Sequence, residues 1–398
     1  MADERGKRLD DTEATRRSLL EALQELCSAL RQAGDLHALT KAAARASDLA
    51  RLLGDEPALM IAQVQAGHAA FGLGQRDSAE ESLRAALELA DALGDPRAAA
   101  SARQELLRVL QAAGHLDEAR AQGEELLAGE SWWSQWAARV ALAAIDEQAG
   151  NLRSAEDVLD EAEQVIASGD EPPERVRMAE VYVQSNRVNI TLARGRYAEA
   201  RQQSDRMHEL AAEAGLPDQV REATLNSAIA ALRTDDLERA GDLLARLREW
   251  AELAGDRRMG GLAAVFEAER LVLVGEPAEA RRVALEAIET GNGLVNGQMV
   301  AEAELLLGMA FLADGLAEDA LHHLRRCRDR ARRLRLRRLE VAACVQHGLA
   351  LAAADEAGAE EALRESLANA REHGYEDLLD RATQALDEIS DRSGESEQ

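Results

Sequence analysis

Glycine followed five residues later by alanine recurs along this chain with a nearly constant beat. The pairs are Gly74/Ala79, Gly114/Ala119, Gly150/Ala155, Gly195/Ala200, Gly275/Ala280 and Gly315/Ala320, and Asp235/Ala240 keeps the phase where the glycine is lost. From Gly34 onward, successive turns stand 40, 40, 36, 45, 40, 40 and 40 residues apart. A second series interleaves with the first: Gly54, Gly94, Gly129, Gly169, Gly215, Gly255 and Gly293 sit where the second helix of each unit should end in a left-handed cap. All six prolines (Pro57, Pro96, Pro172, Pro173, Pro217, Pro277) fall at expected helix starts, where a missing N–H costs nothing. Self-similarity at this period means stacked helical hairpins, none of which can bury its apolar face alone.

The clearest unit is Ala58–Pro96: an Ala-rich helix to Leu73, a turn opened by Gly74, an amphipathic helix, then a stop at Gly94-Asp95-Pro96. Gly67 and Ala79 let its two backbones approach to roughly 8–10 Å, and a larger residue there would overpack by about 1–3 kcal/mol. Turns are expected near Gly34, Gly74, Gly114, Gly150, Gly195, Asp235, Gly275, Gly315 and Ala357, giving nine hairpins, and a last helix from about Tyr375 to Ile389 caps the stack. No run of period two suggests a strand. The expected organisation is a frayed end over 1–11, one α-solenoid over 12–390 and a disordered acidic tail over 391–398.

With these residues the chain resembles the tetratricopeptide repeat family, in its longer-helix variant of about forty residues per repeat. The resemblance runs from about Arg17 to His373, and its best copies are Ala58–Asp95 and Gln298–Arg333, the latter containing GMAFLADGLAEDALHHL. The early-helix aromatic typical of the family is mostly missing, Tyr197 being one of few aromatics at a turn. The resemblance implies an all-α superhelix whose first helices line a concave face.

Composition agrees. The chain is 46% apolar but only 3% aromatic, which suits slender helices packed by small side chains. A net charge of −27 disfavours nucleic acid and anionic membranes as partners. Three cysteines, Cys27, Cys327 and Cys344, cannot build a disulfide framework and suit a reducing compartment. No segment has signal-peptide character, and no run approaches the apolar length of a membrane span. A cytoplasmic protein without a membrane partner is expected.

Two stretches break the regularity. Glu130–Trp136 holds Trp132, Trp133 and Trp136, three of the four tryptophans, after the shortest interval between turns. These rings either fill a gap left by a shortened helix or form an exposed aromatic patch for a partner or for self-association. Arg325–Arg338 (RRCRDRARRLRLRR) carries nine arginines against one aspartate. No glycine stops the helix here, although the second series predicts one near Leu334. Arg325, Arg326, Arg328, Arg332, Arg333, Arg335 and Arg337 could pair with acids of adjacent repeats, dock an acidic protein segment or, with least support, meet nucleic acid.

Catalytic signals are missing. Gly291–Gly297 follows a helix instead of a strand, so it fails the condition for a dinucleotide loop. There is no Gly-Lys-Ser/Thr phosphate loop, no His-Glu-x-x-His, and no arguable Ser/His/Asp set. His323, Cys327, Cys344 and His347 can be written down as a zinc set, yet the two cysteines fall where the repeat wants small buried residues, and neither a metal nor a cofactor is expected.

What remains is the groove. The family resemblance implies that Ile61, Val64, His68 and Phe71 face inward, followed by Gln104, Arg108, Gln111, Glu147, Gln148, Tyr182, Ser185 and Asn189, then Leu225, Ile229, Arg233, Glu269, Glu302 and Met309. Of these, Gln104, Arg108, Gln111, Tyr182, Ser185, Asn189, Arg233 and Glu269 are the candidate contacts to a peptide, whose carbonyls and carboxylates Arg108, Tyr182, Asn189 and Arg233 could meet. The expected function is a non-enzymatic module holding a peptide or protein partner. The alternative is a regulatory sensor for a separate effector polypeptide, since the array also looks like the long-helix repeats of maltose-type activators and bacterial peptide-pheromone receptors. Self-association is left open.

Overall fold

A computed structural model describes the backbone of residues 2–396, residues 295 and 355 excepted, and the side chains of residues 12–390 with the same exceptions. The expected frayed end (1–11) and acidic tail (391–398) lie outside the described side chains. The described residues form nineteen helices and no strand.

Consecutive helices pair as antiparallel neighbours: α1 (Ala2–Ala33) with α2 (Leu36–Leu53), α3 (Glu56–Gly72) with α4 (Arg76–Leu93), and α5 (Pro96–Ala112) with α6 (Leu116–Leu127). The middle of the chain adds α7 (Trp132–Gln148) with α8 (Leu152–Ser168), α9 (Pro173–Arg194) with α10 (Tyr197–Glu213), and α11 (Pro217–Arg233) with α12 (Leu237–Ala254). Then follow α13 (Arg257–Leu273) with α14 (Pro277–Gly293), α15 (Gly297–Ala313) with α16 (Ala317–Arg333), and α17 (Arg337–Ala353) with α18 (Ala359–His373). A last helix, α19 (Glu376–Ser396), packs on α18 and α17. The architecture is an all-α, TPR-like superhelix of nine hairpins closed by a C-terminal helix.

Local chemistry explains the boundaries. The carboxylates of Asp35, Asp55, Asp95 and Asp256 and the amide oxygen of Asn296 each accept a backbone N–H three residues on, satisfying a donor that the first helical turn leaves free. Turn glycines from Gly34 to Gly315 take φ between +73° and +84°, which only glycine adopts without strain. Where glycine is lost, Asp235 itself takes φ +60°. The ninth turn falls at Gly358, one residue beyond Ala357. In the second series Gly54, Gly94, Gly215 and Gly255 are left-handed, but Gly129, Gly169 and Gly293 are not. Gly169 is extended, at φ −80° and ψ 145°, and leads into Pro172-Pro173.

The arginine-rich helix does stop. α16 ends at Arg333, and Arg335 takes φ +54° in place of the missing glycine. Its guanidinium forks onto both oxygens of Asp117 at 2.7 and 2.8 Å, tying that corner to the start of α6.

Within hairpins, the close approach expected at Gly67 is present and repeats. A methyl at Gly67 would meet Leu83 Cγ at 2.6 Å, one at Gly308 would meet Leu324 Cγ at 2.6 Å, and one at Gly348 would meet Leu363 Cγ at 2.7 Å. The same leucine fills the same notch in three units, so the notch cannot take even a Cβ without displacing it.

The winding is tight enough for successive superhelical turns to touch. A methyl at Gly34 would lie 2.9 Å from the Trp250 ring, one at Gly74 would lie 2.6 Å from Leu294 Cβ, and one at Gly114 would lie 3.0 Å from Leu334 Cα. Farther on, Gly150 meets Tyr375 and His373, and Gly195 meets Asp377. Turns of the early hairpins are thus pressed against corners of the late ones, and Asp117 and Arg335 are 218 residues apart in sequence. The result is a tightly wound coil.

Candidate functional site

Along the axis the first helices of successive hairpins turn one face inward. On α15 that face is Gln298, Glu302, Leu305, Leu306 and Met309, spaced at the three- and four-residue intervals that align side chains on a helix. Together with α7, α9, α11, α13, α17 and α19 it lines a cavity of about 410 Å³. One wall is apolar: Leu262, Val265 and Phe266 of α13 adjoin Leu305, Leu306 and Met309, then Leu339, Ala342 and Val345 of α17. Polar groups are set into the remainder.

Most of those polar groups are paired. Arg233 is ion-paired with Glu269 and lies 5.9 Å from the Tyr197 ring. Arg338 donates to Asp377 Oδ2 and to the Tyr197 hydroxyl, each at 2.7 Å, while that hydroxyl donates to the same carboxylate oxygen at 2.6 Å. Asn226 donates to Asn189 at 3.1 Å. Two carboxylates lack a cation. Burial raises Glu147 from its ordinary 4.5 to about 7 despite the pull of Arg338, and raises Glu302 to about 6 even though Gln298 donates to its Oε1. Glu302 Oε2 is sealed from solvent and accepts no hydrogen bond.

No family model matches the chain, and no curated protein matches it. Among solved structures its fold is similar to that of a Rap protein complexed with competence and sporulation factor, with a TM-score of 0.55 and 12% identity over 84% of this chain and 98% of that one. It is also similar to NprR in complex with its cognate peptide NprX, with a TM-score of 0.50 and 12% identity over 72% of this chain and 81% of that one. At such identity the likeness is one of fold: hairpins wound into a superhelix.

The candidate contacts divide between two places. Asn189, Arg233 and Glu269 line the cavity, as do Glu147, Gln148, Leu225, Ile229, Glu302 and Met309. Gln104, Arg108, Gln111, Tyr182 and Ser185 do not. Arg108 belongs to a charge cluster nearer the N-terminus, where Glu105 accepts from Arg31 at 2.6 Å and from Arg108 at 3.0 Å, with His68 at 3.5 Å. Burial would raise Glu105, but Arg108, His68 and Arg31 outweigh it and hold the carboxyl well below its ordinary value. Ser185 is buried and donates to Glu222, and Gln111 offers its carbonyl to Gln148. Tyr182 packs beside Trp136 with ring centroids 6.1 Å apart. Gln104 is half-buried on α5.

The lining that sequence reasoning missed comes mainly from α13, α17 and α19: Phe266, Leu339, Val345, Leu378 and above all Arg338. Arg338 falls at the end of the arginine run and reads there as surface charge.

Neither irregular stretch is a free patch. Trp136 is fully buried, Trp132 and Trp133 pack edge-on against it, and the Trp132 indole donates to Val165 at 3.1 Å. Trp132 fills the space beside Gly169, so this cluster is core and the exposed-patch expectation fails. Six of the seven arginines singled out are likewise engaged, and Arg333 is exposed. Arg326 meets Glu304 at 2.8 Å, Arg332 and Arg337 share Glu340 at 2.7 and 2.8 Å, and Arg335 holds Asp117. Arg325 lies 3.4 Å from His347, and Arg328 lies 3.5 Å from Asp329. Of the three sequence readings, pairing with neighbouring acids describes the stretch, extended by contacts to the previous superhelical turn.

At the written-down zinc set, His323 is committed to Glu304 at 2.6 Å and stacks on Phe311. Burial raises both thiols, Cys344 to about 11, and burial with Arg328 and Arg325 lowers His347 to about 4. Among the described residues no three His, Cys, Asp or Glu stand as a metal-ligand group, and no helix is long and apolar enough to cross a membrane.

Proposed function

We propose that this chain is a non-enzymatic interaction module of tetratricopeptide type that receives a short peptide, or one end of a longer one, in its superhelical lumen. The observation that carries the reading is the amphipathic cavity along the axis, lined by residues from six successive hairpins together with α19. Its 410 Å³ lies within the roughly 300–1,000 Å³ of small-ligand sites. An apolar wall with a few oriented polar groups is what a peptide of mixed composition needs. The fold likeness to NprR in complex with its cognate peptide, and to a Rap protein complexed with competence and sporulation factor, supports the same reading.

A sensor role is favoured by one further feature. Arg338 and Gln148 line the cavity and at the same time hold distant parts of the coil together, so occupancy is linked to the winding. In this role the module acts in the cytoplasm and reports to a separate effector polypeptide.

The test is retention of a random octapeptide pool by the purified protein, recovered by gel filtration and read by mass spectrometry. Wild-type protein should retain a subset. Leu305→Trp, which fills the lumen, should retain far less while its helical circular dichroism is unchanged. Equal retention by both would place binding elsewhere and sink the lumen reading.

A further inference from the structure

Three arginines line the cavity, and they gather around Tyr197. Arg338 donates to the Tyr197 hydroxyl and to Asp377, each at 2.7 Å, and the Arg233 guanidinium lies 5.9 Å from the Tyr197 ring. Arg381 follows Asp377 by four residues on α19, which puts it on the same face one turn farther along. Burial first, then the neighbouring charges of Arg338 and Arg381, lower the proton affinity of Arg233 against the pull of Tyr197 and Asp377.

Two carboxylates pair with these three cations. Glu269 holds Arg233 and Asp377 holds Arg338, while Arg381 has no carboxylate at ion-pair distance among the described residues. Glu147 and Glu302 also line the space, but neither makes an ion pair with an arginine of this group. In both pairs the arginine is the more open member: side-chain exposure is 26% for Arg233 against 6% for Glu269, and 26% for Arg338 against 16% for Asp377. Arg381 is exposed outright. The paired acids are thus recessed, and this corner presents guanidinium to the cavity with one positive charge in excess. Apolar lining adjoins it on the same helices, since Ile229 precedes Arg233 by one turn, Leu378 precedes Arg381 by three residues, and Leu339 follows Arg338.

We propose that Arg381, in the field of Arg233 and Arg338, is the subsite for a carboxylate of the bound peptide, whose apolar side chains lie along Ile229, Leu378 and Leu339. The assignment rests on the lumen being the binding site. A guanidinium fork donates two parallel N–H groups to a carboxylate, and the Arg381 fork is uncommitted where those of Arg233 and Arg338 already hold an acid. Two sources share this chemistry: the free carboxyl terminus of a peptide, and an aspartate or glutamate side chain. The chain as a whole carries −27 and repels anionic peptides. A preference for a carboxylate therefore reports a local cation and not the general field.

Three hexapeptide pools, each randomised among uncharged residues and acetylated at the amino terminus, separate the outcomes at pH 7.5. The first has a free carboxyl terminus, the second is amidated, and the third is amidated with one glutamate. Wild-type protein should enrich the first or the third over the second by about tenfold, and which of the two wins names the source. Arg381→Gln should abolish that preference and still retain the amidated pool, which also shows that the variant is folded. Equal retention of all three pools by wild type, enrichment of the amidated pool, a preference that survives Arg381→Gln, or a loss in that variant as large for the amidated pool as for the others overturns the carboxylate subsite and leaves the lumen reading intact. Retention of none by wild type overturns both.

Discussion

If Glu147 is ionised at a cost in the ligand-free protein, that cost should be visible in stability as a function of pH. Its carboxyl rises from 4.5 to about 7 on folding because burial penalises the anion more than Arg338 relieves it. A raised acid holds its proton more tightly in the folded chain, so its contribution to stability is fully present below about pH 4.5 and is lost as pH rises through about 7. At roughly 1.4 kcal/mol per unit, the anion costs the folded state about 3 kcal/mol above pH 7. Glu302, raised to about 6, adds about 2 kcal/mol by the same reckoning. Glutamine keeps the shape and removes the charge. Urea unfolding followed by circular dichroism should therefore show Glu147→Gln more stable than wild type at pH 8 by up to about 3 kcal/mol, with the two converging near pH 4.5. The difference between the two proteins is the useful quantity, because the general titration of so acidic a chain cancels in it. Curves that run parallel from pH 4.5 to 8 would mean that Glu147 is solvated or paired in solution and would refute the reasoning.

Two further substitutions test the closed winding. Gly74→Ala and Gly275→Ala both force an L residue to positive φ at about 1–2 kcal/mol, but only Gly74 abuts the next superhelical turn, at Leu294, whereas Gly275 has open space around it. Small-angle scattering should show Gly74→Ala expanded and Gly275→Ala unchanged, and equal profiles would deny the contact between turns. Arg338→Met leaves Asp377 with the Tyr197 hydroxyl alone, and breaking such a pair from one side should cost near the lower end of about 3–5 kcal/mol, since both groups keep some exposure. A urea midpoint unmoved by Arg338→Met would show the pair to be ornamental.

The hairpins were legible in the sequence because each is a local object. A left-handed turn, a capped helix start and a notch at Gly67, Gly308 or Gly348 all involve residues within about one repeat, and their chemistry is read off neighbouring letters. Even so, Arg335 took the left-handed corner that glycine was expected to hold, helped by a carboxylate 218 residues away. Contacts of this kind were not legible. Whether Gly74 meets Leu294 depends on a small rotation per hairpin multiplied over more than half the chain, and no single repeat encodes that sum. The site inherited the same limit. Asn189, Arg233 and Glu269 line the cavity, whereas Arg108, Tyr182 and Ser185 do not. The α17 wall was missed because the coil brings it round to face α7 and α9. A weak signal existed at Arg335, an arginine at the corner where Gly54, Gly94, Gly215 and Gly255 stand in other units.

Arg338 ties the two halves of the argument together. It lines the cavity, and through Asp377, Tyr197 and the Ala193 carbonyl it also fastens the start of α17 and of α19 to the end of α9 and the start of α10. Gln148 has the same double position, in the lining and in contact with the Leu334 corner. A ligand in the lumen therefore competes for, or reinforces, the same groups that hold one superhelical turn to the next. It can shift the winding only by the difference in its affinity for the closed and opened coils. A peptide that touches Arg338 or Gln148 meets this requirement, because in an opened coil those side chains leave their distant partners and the contact changes. A retained peptide that reinforces these contacts should accordingly favour the compact form, and scattering profiles of the protein with and without the octapeptides that wild type retains should show contraction on binding. Expansion would mean that the ligand pries the clasp apart instead of reinforcing it.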